Sequence, residues 1–156
     1  MSKSLERVMA ALAGAKMGAI AIEMPSETRT SDQAADAVGC AADQIVKSII
    51  FSGAKSGALY LFVAAGSNQV DPVKAAIIAG EPLGRADPKT VRDTTGFAIG
   101  GVSPVGHLTQ IKAFFDPHLL TFGIVYAAAG TPRHIFAIDP TDLMNVSGAV
   151  EADFVT

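Results

Sequence analysis

The chain has 156 residues, 49% of them hydrophobic and 17% charged, with a mean hydropathy of +0.36, a net charge of −3 and a pI near 5.5. This composition fits one domain, residues 1–156, with a buried core, and excludes a disordered chain. Acidity argues against a protein that coats nucleic acid by neutralising phosphates, and no apolar run is long enough to span a bilayer.

The N-terminal stretch carries Glu6 and Arg7 in a helical pattern and reads as a first helix rather than a signal peptide. A strand is expected over Ala19–Glu23. A helix follows over Ser31–Val38, with Ser31 or Thr30 as its cap and Gly39 as its stop, and then a short turn at Ala42–Ile45. The runs Val46–Ser52 and Ala58–Ala64 flank GAKSG, a hairpin linker. Asp-Pro pairs punctuate the rest. Asp71-Pro72, Asp87-Pro88 and Asp139-Pro140 open helices over Pro72–Ala79, Pro88–Thr94 and Pro140–Ser147, each followed by a glycine suited to the C-terminal cap. Asp116-Pro117 lies between strand-like runs and reads as a turn. Further strands are expected at Phe97–Ile99, Ile111–Phe115, Thr121–Tyr126 and His134–Ile138, the last two flanking AAAGTPR as a second hairpin. Strands that come in pairs imply an α+β fold. Its sheet would be mixed, mostly antiparallel and twisted, forming a barrel-like core flanked by helices.

Chemistry concentrates in Phe97–His107, FAIGGVSPVGH. Gly100 and Gly101 leave main-chain N–H groups accessible, and Pro104 stiffens the bend. Such a loop binds a carboxylate, a phosphate or a polarised carbonyl through Gly100, Gly101, Val102 and Ser103. A tight structural turn is the competing reading, and the density of special residues favours a site. His107 closes the loop and orients it by hydrogen bonding, with no obvious partner for a catalytic base. Lys47 interrupts the apolar strand QIVKSIIF. By alternation it shares a face with Ile45 and Ile49, so its ammonium points into a pocket or snorkels at the rim; the alternative is a lysine guarding an edge strand. Gly66–Lys74, GSNQVDPVK, connects a strand to a helix, and Lys74 is a candidate phosphate contact by its place in the first turn.

The three histidines lack metal-ligand spacing and no second cysteine assists them, so no metal or other cofactor is expected. There is no GxSxG, Walker or GxGxxG motif. Cys40 reads as packing, and a lone cysteine suits a reducing cytoplasm. Asp32, Asp36 and Asp43 read as surface residues.

Four pieces in order, QIVKSIIF, YLFVAAGSNQVDPVKAA, LGRADPKTVRDTTG and GGVSPVGH, resemble the YbaK/ProX-type aminoacyl-tRNA editing domains, also called prolyl-tRNA synthetase-associated domains. The resemblance runs from about Ser31 to Ile138. The family's lysine falls on Lys47 and its GxxxP signature on Gly100–Pro104. The resemblance implies a twisted, barrel-like mixed sheet flanked by helices. It also implies hydrolysis, in trans, of the ester joining a wrong small amino acid to tRNA, best known for tRNA(Pro) charged with Cys or Ala.

On that resemblance, main-chain N–H groups of Gly100–Ser103 would hold the aminoacyl carbonyl or terminal ribose oxygens. Lys47 would anchor a phosphate or ribose oxygen. The pocket wall would come from Met24–Thr30, with Thr30 included, and from the strand of Lys47. The expected partner is the acceptor end of a mischarged tRNA, held through a local patch drawn from Lys47, Lys74, Arg85, Lys89 and Arg133. The alternative is affinity borrowed from prolyl-tRNA synthetase or an elongation factor. A non-catalytic module that binds an aminoacyl end or a synthetase is the second reading. DNA binding is disfavoured by the acidity and by the lack of a basic recognition helix.

Overall fold

The computed structural model describes residues 2–25, 27–28 and 30–156. Among them the order of elements is α1 (Lys3–Gly14), β1 (Ala21–Glu23), α2 (Ser31–Val38), a 3₁₀ turn (Ala42–Gln44), β2 (Val46–Gly53), β3 (Leu59–Ala65), α3 (Pro72–Ala79), β4 (Leu83–Arg85) and α4 (Pro88–Thr95). After a long loop come β5 (Lys112–Phe115), a second 3₁₀ helix (Pro117–Thr121), β6 (Val125–Thr131), β7 (His134–Ile138), α5 (Pro140–Ser147) and β8 (Val150–Glu151). The fold is α+β.

The Asp-Pro signals act through their side chains. Asp71 accepts from Val73 N at 2.9 Å, Asp87 from Thr90 N at 3.0 Å and Asp139 from Thr141 N at 2.8 Å. Each helix so opened ends on a glycine in the left-handed region, Gly80, Gly96 or Gly148. Asp116-Pro117 behaves the same way, opening the second 3₁₀ helix, where a plain turn was expected.

Two sheets form, ordered β1-β7-β6 and β4-β2-β3-β5-β8. Pairing is antiparallel except that β3–β5 and β5–β8 run parallel. β3 is buried at all seven positions because both of its faces are covered. Leu59, Leu61, Val63 and Ala65 pack into the main core with α1, β6 and β7. Tyr60, Phe62 and Ala64 pack beneath α3 and Phe154.

The expected barrel does not close. A parallel bridge, Ile45 to Tyr126, links the sheets, and β2 pairs with β4 only from Phe51 to Gly53. From Val46 to Ile50, β2 therefore has β3 on one side and no strand on the other.

Other expectations differ in detail. Phe97–Ile99 is a loop rather than a strand, because Phe97 is anchored by its ring and not by a ladder. Pro117–Thr121 is 3₁₀, and β6 starts at Val125 and runs through the alanines of AAAGTPR, leaving Pro132 and Arg133 as the turn. β4 and β8, three and two residues long, are additional.

Candidate functional site

The loop from Gly96 to His107 is held by α1. Arg7 donates from Nε to Gly106 O at 3.0 Å and from Nη2 to Gly96 O at 2.9 Å. Its guanidinium also lies over the Phe97 ring, 4.7 Å from the centroid. One side chain thus ties both ends of the loop. Gly106 permits this close approach, since a Cβ there would lie 3.2 Å from Arg7 O and Val8 Cα. His107 packs edge-on against Phe97 at 5.5 Å, and its Nε2 lies 2.6 Å from Ser103 O. A carbonyl only accepts, so Nε2 carries the hydrogen. Burial pushes the His107 pKa below its ordinary value; the Ser103 carbonyl opposes this and the Arg7 charge adds to it.

Inside the loop, Gly101 N donates to Ala98 O at 2.9 Å. That contact closes a four-residue turn with Gly100 third, at φ +95°, where a type II turn requires a positive φ. The Gly101 N–H is therefore not one of the donors the loop offers a ligand. Ser103 is buried, its Oγ accepting from Val105 N at 3.2 Å.

Across from this loop lies the unpaired edge of β2. The space between them is a cavity of about 290 Å³. Five consecutive residues, Ile45 to Ile49, line it. A strand that lined a cavity with one face would contribute every second residue, so β2 presents its edge here, not the alternating face expected for Lys47. Gly100 and Val102 line it as well. Thr28, Thr30, Ser31 and Ala34 close one end from α2 and the segment before it, and Tyr126, Ala128 and Ile135 close the other side.

Lys47, Thr30, Gly100 and Val102 thus meet on one cavity. Gly101, Ser103, Pro104 and His107 do not line it and instead shape the loop behind it. Lys74 stands elsewhere, bound to Asp153 at 3.1 Å and to Val155 O at 2.9 Å. Thr30 caps α2, accepting from Gln33 N at 3.1 Å. Of the expected wall Met24–Thr30, Ser26 and Arg29 lie outside the described residues.

The Lys47 ammonium donates to the main-chain carbonyl of Asn68. Burial lowers its pKa, while the negative charges of Asp116 and Asp43 oppose that shift. Asp116 is 1% exposed and accepts three hydrogen bonds: from Ala65 N at 3.1 Å, Asn68 Nδ2 at 2.8 Å and His118 N at 3.0 Å. Asp43, read as a surface residue, is partly exposed and also hydrogen-bonded. It accepts from Ser67 N at 3.1 Å and from Ser67 Oγ, and it lies 3.0 Å from His118 Nε2. Hydrogen bonds from Ser67 and then His118 hold its pKa below the usual value.

Sequence reading missed Asn68, Asp116, Arg7 and Tyr126. The only signal for Asp116 was its place in an Asp-Pro pair, and nothing local marks that carboxylate as buried. The Ser48 hydroxyl oxygen, also on the cavity wall, is buried without a hydrogen-bond partner among the described residues. Such a group costs about 1–3 kcal/mol.

A cleft walled by a glycine turn and a half-dehydrated lysine on an open strand edge is equipped to grip a carbonyl or an anionic oxygen. The comparisons agree in class. Residues 25–146 match the aminoacyl-tRNA editing domain family, and the chain belongs to it. A solved structure described as a candidate trans-editing enzyme for prolyl tRNA synthetase is 45% identical, with a TM-score of 0.92 over 100% of this chain and 99% of that one. The hypothetical protein APE2540 is 28% identical, with a TM-score of 0.87 over 96% and 99% of the two chains. The uncharacterized protein YwhH of Bacillus subtilis (strain 168) is 30% identical over 125 residues, 80% of this chain and 79% of that protein. No helix among the described residues is long and apolar enough to cross a membrane.

Proposed function

We propose that this protein is an aminoacyl-tRNA deacylase acting in trans in the cytoplasm, on tRNA(Pro) carrying a small amino acid such as Cys or Ala. One observation carries this reading: Lys47 and Gly100 line the same cavity. Family membership supports the reaction class, and the structural relative described for prolyl tRNA synthetase supports the tRNA.

The volume of about 290 Å³ is at the small end for ligand pockets. Ile45, Ala34, Ala128 and Ile135 give the cavity an apolar lining suited to a small aminoacyl side chain. Discrimination between small side chains is worth only ~1–3 kcal/mol per methylene, so rejection by size is the stronger selector.

Lys47 spends one N–H on Asn68 O and keeps two others. As a compact cation it stabilises negative charge on the ester carbonyl as it becomes tetrahedral, or anchors a ribose or phosphate oxygen. The nucleophile is water, or a side-chain thiol of the substrate, whose cyclic thioester water then opens. The attacking oxygen or sulfur bonds to the ester carbon, the carbon–ribose oxygen bond breaks, and the ribose oxygen takes a proton. An aminoacyl ester is already activated, so positioning supplies much of the rate. The net charge of −3 leaves broad tRNA affinity to a local patch or to a partner, the synthetase or an elongation factor.

A panel of mischarged tRNAs, incubated with wild type and Lys47→Ala, tests the reading. Wild type should release small amino acids and the variant should not. Binding of charged tRNA with every ester left intact would instead establish a non-catalytic module that recognises the aminoacyl end.

A further inference from the structure

The Gly100 turn has space on both sides. A second cavity, of about 270 Å³, shares Ser48, Ile49, Gly100 and Val102 with the first and extends the other way, to Arg85, Val91 and Ile99. The cleft is therefore double, with Gly100 and Ser48 on the shared wall.

Most cations expected to form a basic patch are engaged elsewhere. Lys74 is paired with Asp153 and Lys89 with Asp93, and Arg133 reaches Met24 O and Pro25 O. The guanidinium of Arg85 has no partner among the described residues, and neither does that of Arg92 on α4. Arg85 lines the second cavity, and Arg92 lines a hollow beside it. Ile99 belongs to both and is 57% exposed. An acidic protein thus places two unneutralised guanidinium groups around an exposed apolar side chain, next to the cavity of Lys47.

This arrangement suits a nucleotide. A guanidinium binds phosphate bidentately, and an apolar surface or a guanidinium plane accepts a base face. Covalent continuity selects which one. With the aminoacyl group in the first cavity and its ester at Gly100, the ribose must stand at the shared wall and the rest of the nucleotide must leave beside it. We infer that the second cavity is the subsite for the 3′-terminal nucleotide of the charged tRNA. The base lies against Ile99, a phosphate on Arg85, and the next phosphate toward Arg92. This assignment rests on the deacylase reading and extends it to the nucleotide.

Two measurements test it. The first follows deacylation of mischarged tRNA by wild type, Arg85→Ala and Arg92→Ala across a salt series. Loss of a charged phosphate contact should raise KM roughly tenfold with kcat little changed. The slope of log(kcat/KM) against log salt should become shallower by about 0.7 per cation removed. Unchanged KM and slope would overturn the subsite while leaving the hydrolase intact. The second measures binding of a short single-stranded RNA ending in CCA, by fluorescence anisotropy, and needs no turnover. Loss of binding in the Arg85→Ala/Arg92→Ala double variant supports the subsite even if no ester is cleaved. Equal binding by wild type and the double variant, or none by either, overturns it.

Discussion

Lys47 and Asp116 are joined through a single residue. The main-chain carbonyl of Asn68 accepts from the Lys47 ammonium, and its side-chain amide donates to Asp116 Oδ2 at 2.8 Å. A buried carboxylate thus fixes the segment that orients the lysine, and its charge favours the protonated ammonium. The cluster turns a strand-edge lysine into a positioned cation.

Lys47→Ala should lower kcat/KM on the order of 10²-fold, the usual effect of losing one donor at a developing oxyanion. Stability should change little, because Lys47 is not part of the apolar core. Lys47→Arg should not restore the rate, since a planar fork does not replace a compact ammonium. Single-turnover deacylation together with thermal unfolding of each variant checks both statements.

The pH profile has a definite sign. Burial lowers the Lys47 pKa from its ordinary 10.5, so the protonated form is lost at a lower pH than for a free lysine. Enzymatic deacylation, corrected for spontaneous ester hydrolysis, should fall along an alkaline limb below that value. Asp116→Asn removes a charge that raises the Lys47 pKa, so this limb should move to still lower pH. The same change leaves N–H donors facing an amide N–H₂ and should cost about 1–3 kcal/mol of stability. An unmoved limb would show that the Asp116 charge does not reach the lysine.

Gly100→Ala should cost about 1–2 kcal/mol, because φ at this position is +95° and an L residue is strained there. No heavy atom lies within 4 Å of the added Cβ, so strain rather than a clash is the cause. Gly100→Val should add obstruction of the cavity and reduce deacylation further. A Val variant as fast as the Ala variant would contradict that obstruction.

Arg7→Ala should loosen the loop from a distance. It removes hydrogen bonds to Gly96 O and Gly106 O and the contact with Phe97, at a cost of about 1–3 kcal/mol. Hydrogen exchange should quicken selectively between residues 97 and 107, with kcat reduced. Uniform exchange across the chain would argue against a clamp.

His107 links the same loop to acid. Its pKa is depressed in the fold, so the unfolded chain binds a proton more readily. Stability should therefore fall as pH drops below its ordinary 6.5, and should level off once the folded form also protonates. Urea midpoints at about pH 7.5 and about pH 5.5 should differ less in His107→Gln than in wild type.

Local chemistry made much of this architecture readable. Asp-Pro caps and terminal glycines act within a few residues, so α3, α4 and α5 follow from the sequence directly. Gly100 and Lys47 stand out because each breaks an apolar run. Phe97–Ile99 misleads, since an apolar triplet serves equally as a strand or as the anchor of a loop. Asp116 escaped notice because a carboxylate is buried only by its partners, and Ala65 and Asn68 come from a distant part of the chain; Asp43, read as a surface residue, is partly exposed and is engaged by Ser67 and His118.

The amino-acid sequence by itself determined the α+β class, the boundaries of α3, α4 and α5 to within a residue, the family, and the two residues on which the proposed chemistry centres. Only the tertiary structure decided that the sheets stay open at Val46–Ile50, that Gly100 and Lys47 line one cavity, and that Arg85 is unpaired beside it. Caps and turns are settled by neighbours along the chain. An open edge and an unneutralised charge are settled by which distant segments come to lie against them.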